Sequence, residues 1–134
     1  MALLSGGCLC GRVRYEADSA DATVDYCHCD TCRRSTGGAT VAWMQVKPVR
    51  FRIVAGEAAA YVSSETMVRY FCHVCGSQLF MTDAKGRSVG ITVGTLDEKN
   101  AVAPAAHGWD GDRPRWLCLA DGLPRFEGDP DYDS

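Results

Sequence analysis

Short runs in which apolar and polar residues alternate recur along the chain, separated by Gly, Pro, Asp and Asn. They occupy residues 12–17, 40–46, 49–54, Met67–Phe71 and 88–93. Side chains of a strand point to opposite faces in turn, so a period of two predicts half-buried strands. Close turn residues between the runs predict an all-β or mostly β domain. Residues 29–36 break this rhythm. They are polar, carry β-branched residues only at Thr31 and Thr36, and predict one or two helical turns stopped by Gly37-Gly38. The last thirty residues, rich in Pro, Gly and Asp, read as ordered loop or short strands, with residues 129–134 expected to fray.

The length of 134 residues fits one domain, 1–134, able to bury a real core. A hydrophobic share of 46% agrees with a globular class, and no apolar run approaches the roughly 20 residues that span a bilayer. The first seven residues lack the basic and apolar regions of a secretory signal. Leu4-Ser5-Gly6-Gly7-Cys8 has the outline of a lipoprotein cleavage site without the preceding apolar stretch. Fourteen basic and seventeen acidic residues give a formal charge of -3 with no Lys/Arg cluster, which disfavours nucleic acid as a partner. The expected setting is the cytoplasm, with no membrane contact; nothing in the pattern bears on oligomeric state.

Eight cysteines change the picture. Paired cysteines in a reducing compartment bind metal or do redox work more often than they form disulfides. Three clusters stand out: Cys8-Leu9-Cys10-Gly11, Cys27-His28-Cys29-Asp30-Thr31-Cys32 and Cys72-His73-Val74-Cys75-Gly76, with Cys118 alone. In extended chain, residues i and i+2 share a face about 6.6 Å apart. A slight curl brings both sulfurs to one zinc at about 2.3 Å. A ribbon of Cys29/Cys32 with Cys72/Cys75 would leave Cys8, Cys10 and Cys27 unexplained. A partition that uses all seven puts Cys8, Cys10, Cys72 and Cys75 on one closed site and Cys27, Cys29 and Cys32 on a second. Three protein ligands leave a fourth position for water or substrate, the arrangement of catalytic zinc. The alternative is a second closed site completed by Cys118, His28 or His107.

The stretches GGCLCGRVRY, CHCDTCRRSTG and FCHVCGSQLF, with Trp43 and the APAAHGW and DGLPRFEG segments, resemble the glutathione-dependent formaldehyde-activating enzyme family, which includes centromere protein V relatives. The resemblance covers nearly the whole chain. It implies a β-tent-like fold of packed antiparallel sheets with two zinc ions, one structural on Cys8, Cys10, Cys72 and Cys75 and one catalytic-type on Cys27, Cys29 and Cys32. It also implies carbon–sulfur lyase chemistry joining formaldehyde to glutathione. Fold and metal transfer within a family more safely than substrate does.

Other residues have plainer readings beside sharper ones. Arg33 and Arg34 follow the second cluster and are either solvated helix residues or a clamp for a substrate carboxylate. With Arg12 they would also offset thiolate charge. His107 is either a structural histidine or a residue lining the site. His28, between two ligands of an extended stretch, points away from their face. His73 is expected to be exposed, Cys118 to be a buried apolar thiol, and Trp43, Tyr70 and Phe80 to belong to the core. The leading expectation is a zinc-dependent carbon–sulfur lyase acting on a thiol–aldehyde adduct such as S-hydroxymethylglutathione. The rival is a zinc-stabilised binding module without catalysis.

Overall fold

The alternating runs become strands because each can bury one face. In the computed structural model, which describes residues 2–131, β1 (Leu3–Gly7), β2 (Arg14–Asp18) and β5 (Phe51–Ala55) form a three-stranded antiparallel sheet in the order β1-β2-β5. A second sheet contains β3 (Thr23–Cys27), β4 (Val41–Val46), β6 (Ala59–Val62), β7 (Met67–Phe71), β8 (Gln78–Asp83), β9 (Val89–Thr92) and β10 (His107–Gly108). Its order is β10-β3-β4-β9-β8-β7-β6, antiparallel except where β10 runs parallel to β3. The protein is thus mostly β, as the patterning predicts.

The two faces of the large sheet have different fates. Val24, Met44, Val46, Phe80, Val89 and Ile91 point toward the small sheet and pack with its Tyr15 and Ala17 and with Val13 before it. Tyr70 is half-buried and stacks on Phe80 at 4.4 Å. The alternate residues, among them Asp25, Gln45, Arg69 and Met81, face a cleft instead. Alternation therefore separates core from site within the same strands.

Five strands escape the period-two reading. β1 contains two glycines where side chains would otherwise mark the pattern. Gly6 pairs with Tyr15, and a Cβ there would meet the Tyr15 hydroxyl and lie 2.5 Å from the Thr95 carbonyl oxygen. The space is needed because Tyr15 is fully buried and its hydroxyl pairs with Thr95 Oγ1 at 2.7 Å. Burial pushes the Tyr15 phenol up to about 12. β3 carries Asp25 and Cys27 for the site, β8 pairs with β7 through a register shift at Tyr70/Phe71, and β6 and β10 are short.

Helix α1 spans Asp30–Thr36. Cys29 is its N-cap, with Sγ accepting from the Cys32 N–H at 3.3 Å, and Gly37 at φ 77 closes it by donating to the Arg33 carbonyl at 2.8 Å. The C-terminal segment is ordered loop laid beside β3. Tyr26 N–H donates to the Ala106 carbonyl at 2.9 Å, His28 N–H to Gly108 at 3.1 Å, and Phe126 N–H to His107 at 2.9 Å. Within the tail expected to fray, Asp129 accepts from the Trp109 indole at 3.0 Å, and residues 132–134 lie outside the described residues. No helix among the described residues is long and apolar enough to cross a membrane.

Gly6→Ala is expected to cost about 1–3 kcal/mol by overpacking against Tyr15. Gly94→Ala, where a Cβ meets nothing within 4 Å, should stay within about 0.5 kcal/mol. Urea midpoints of the two variants measure the difference; equal midpoints would remove the packing account.

Candidate metal centres and the cleft

The turn after β1 and the turn between β7 and β8 bring Cys8, Cys10, Cys72 and Cys75 together, their Sγ atoms all within 4.8 Å of one another. Cys8 and Cys10 sulfurs are 3.6 Å apart and Cys10 and Cys72 are 3.7 Å apart. A tetrahedral ion with Zn–S bonds of about 2.3 Å requires sulfur separations of about 3.8 Å, so the donor set fits zinc in both chemistry and size. Gly11 and Gly76, both at φ 81, let the chain turn after each pair. The Val13 N–H points at Cys8 Sγ at 3.3 Å. The Ser77 hydroxyl, 3.3 Å from Cys75 Sγ, and then nearby backbone N–H groups draw the Cys75 thiol down to about 5.

The second group, Cys27, Cys29 and Cys32, also has its sulfurs within 4.8 Å of one another. Cys27 ends β3, Cys29 caps α1 and Cys32 sits in its first turn, so one strand end and one helix start deliver all three. Without an ion, the thiols of Cys27 and then Cys32 donate to Cys29. Together with the Cys32 N–H they push Cys29 far down, and Cys27, the donor, goes well above the usual thiol range. Cys32 is raised as well, so of the three Cys29 is the sulfur that most readily carries the negative charge. Trp43 is buried beneath it, packed with Cys27 and Cys32.

A residue absent from the sequence reading supplies the countercharge. Arg69 on β7 is buried, and its guanidinium lies 3.6 Å and 3.8 Å from Cys32 Sγ and donates to Ser35 Oγ at 3.1 Å. Its one sequence signal is an arginine at a site-facing position of an otherwise apolar strand just before Cys72. Arg33 and Arg34, read as either solvated helix residues or a carboxylate clamp, do not line the cleft. Arg33 pairs with Asp30 at 3.5 Å and lines a separate depression beside Trp116, and Arg34 is exposed on the helix. The Arg12 side chain is exposed near the first cluster.

His107 lies away from the cleft lining. It is fully buried, with Nδ1 2.8 Å from His28 Nε2 and Nε2 2.8 Å from Asp121 Oδ2. Asp121 can accept from His107 Nε2–H, and His107 Nδ1 and His28 Nε2 share the hydrogen bond between the rings. Burial first, and then the neighbouring His107, lowers His28, consistent with a neutral ring. The pair stacks with Tyr26 and ties the Cys27–Cys29 segment to the C-terminal segment. His28 therefore points away from the sulfurs, as its position between them predicts, and His73 is exposed. Cys118, expected to be buried, is exposed: residues 117–120 form a loop outside the sheets, and neighbouring Trp116 is exposed too. His28, His107 and Cys118 all stand outside the three-sulfur group.

That group opens onto a cleft of about 800 Å³ floored by the large sheet. Strands β3, β4, β7 and β8 contribute Asp25, Gln45, Arg69 and Met81; α1 forms one wall and Trp109, Asp112 and Pro130 another. Trp109 holds a left-handed backbone, φ 53, and remains 40% exposed.

Comparison with known proteins agrees with this architecture. No curated protein matches the chain. The crystal structure of a Rhodobacter sphaeroides protein, solved as a structural-genomics target, is similar with a TM-score of 0.59 and 27% identity over 75% of this chain and 92% of that one. The sequence profile of the glutathione-dependent formaldehyde-activating enzymes matches residues 3–112. With most of its length in that match and both cysteine groups inside it, the chain belongs to the glutathione-dependent formaldehyde-activating enzyme family.

Proposed function

We propose that this protein is a zinc-dependent carbon–sulfur lyase that forms and cleaves thiol–aldehyde adducts. The family's own pair, glutathione and formaldehyde, gives S-hydroxymethylglutathione. The observation that carries the reading is the convergence of three sulfurs, with no fourth cysteine or histidine among the described residues, at the edge of a cleft large enough for a small ligand. Cys8, Cys10, Cys72 and Cys75 would hold a structural zinc, and Cys27, Cys29 and Cys32 a second. At the second position zinc supplies Lewis acidity toward a substrate sulfur or oxygen.

The chain's own residues do the rest. The helix cap and the His28–His107 contact hold the three sulfurs in place, Arg69 balances their charge, and Met81 and Trp109 give the cleft apolar surface. In the forward direction a bond forms between thiol sulfur and aldehyde carbon, and the thiol proton passes to the carbonyl oxygen; the reverse step restores both. Unpaired thiolates of this kind persist in a reducing compartment, which supports a cytoplasmic setting.

Structural zinc contributes about 10–16 kcal/mol in small zinc domains, against a total domain stability of about 5–15 kcal/mol. Cys75→Ser is therefore expected to yield unfolded or insoluble protein. A soluble variant with unchanged circular dichroism and zinc content would contradict the structural assignment. Cys29→Ser should stay folded and lose one zinc of two, read by metal analysis. Arg69→Met should weaken retention of that zinc about 10–100-fold in chelator competition, the usual effect of removing an outer-shell partner. For activity, formaldehyde–glutathione adduct formation is followed by NMR. Acceleration by the zinc-loaded protein that disappears in Cys29→Ser is the expected result. Identical, uncatalysed rates for both proteins, with two zinc ions bound to the parent, would favour a binding module.

A further inference from the structure

The walls of the cleft have a charge that the family's substrate does not match. Five carboxylates line it, Asp25, Asp30, Asp83, Asp112 and Asp129, against two guanidiniums. Both guanidiniums are committed. Arg87 Nε donates to Asp83 at 2.8 Å, and Arg69 is held by Cys32, Ser35 and Ser63. Three thiolates around a divalent ion leave one negative charge, which Arg69 offsets. The Asp83–Arg87 pair cancels itself. Beyond these, Asp30 stands on the helix wall and Asp112 and Asp129 on the C-terminal wall. Asp30 shares its charge with Arg33 outside the cleft, and Asp129 accepts from the neutral indole N–H of Trp109. A cleft lined by one sign of charge concentrates ligands of the other.

The aromatic surface agrees with the sign. Trp109 lines the same cleft as these carboxylates, is anchored through Nε1 to Asp129, and is 40% exposed. An indole face next to carboxylates is a recognition surface for an ammonium group. A thiol bearing two carboxylates, as glutathione does, would find no uncommitted cation among the described lining residues. The carboxylates do not define the site; the three sulfurs at its edge do, and the carboxylates surround whatever reaches them.

Resting on the thiol–aldehyde reading above, we propose that the cleft takes an aminothiol, a thiol carrying an ammonium group, in preference to a thiol carrying carboxylates. The reaction is unchanged. Sulfur bonds to the aldehyde carbon, the thiol proton passes to the aldehyde oxygen, and the ammonium group stays protonated among the carboxylates.

The test uses zinc-loaded protein and three thiols of similar size: cysteamine, 2-mercaptoethanol and 3-mercaptopropionate. Calorimetric affinities at low salt should fall in that order, with cysteamine about tenfold tighter than 3-mercaptopropionate. Asp30→Asn/Asp112→Asn, two exposed positions whose change leaves the core alone, should shrink that ratio at least threefold, as should high salt. The paired comparison cancels differences in thiol acidity, which the substitutions leave untouched. Equal or reversed affinities, or a preference that survives both the substitutions and salt, overturn the proposal. If the charge order holds while no thiol–aldehyde turnover is seen, the lyase reading falls and the charge preference stands. If none of the three thiols binds the zinc-loaded protein, both fall.

Discussion

The convergence of Cys8 and Cys10 with Cys72 and Cys75 is the contact on which the rest of the structure depends. The two pairs come from turns that belong to different sheets, one following β1 and one joining β7 to β8. The larger hydrophobic core is made where the two sheets face each other. Holding the turns together fixes how the small sheet sits on the large one. Tyr15 then falls into the space left by Gly6, and the strand faces not buried by the small sheet are left to form a cleft.

The large sheet shows how economical this division is. Because successive side chains point to opposite faces, one set of strands builds the core with half its residues and the site with the other half. β4 gives Met44 and Val46 to the core and Gln45 to the cleft; β3 gives Val24 to the core and Asp25 and Cys27 to the site. A buried polar network supports the second side from behind. The Asp121–His107–His28 chain joins the C-terminal segment to the stretch between Cys27 and Cys29, so a segment with little regular structure stiffens the sulfur cluster. Arg69 does the corresponding electrostatic work from β7. A group of three sulfurs that carries negative charge in a partly dry environment needs a cation close by, and Arg69 is the buried one in contact.

The cleft also shows why membership in a family leaves the ligand open. The sulfurs that do chemistry are delivered by one short stretch of chain, whereas the surface that selects a substrate comes from several strands, a helix wall and the C-terminal segment. The second can change sign while the first is preserved.

Whatever depends on a few neighbouring residues was legible in the sequence. The spacing of Cys27, Cys29 and Cys32 places their sulfurs through local backbone geometry, the Cys29 cap and Gly37 stop bracket the helix where the polar run predicts it, and alternation marks the strands that lack glycine or ligand residues. Membership in the family was legible for the same reason, since the motifs that carry it are local. What needed the tertiary structure is contact across long stretches of chain, which strand order and register decide. Arg69 meets Cys32 across 37 positions and His28 meets His107 across 79, and no local pattern announces either. Arg33 and Arg34 stand next to the cluster in sequence, yet the helix turns them away from the cleft, while Cys118 follows two apolar residues into an exposed loop. The sequence by itself determined which sulfurs could act together locally. The packing of the two sheets decided which pairs meet, and which charges surround them.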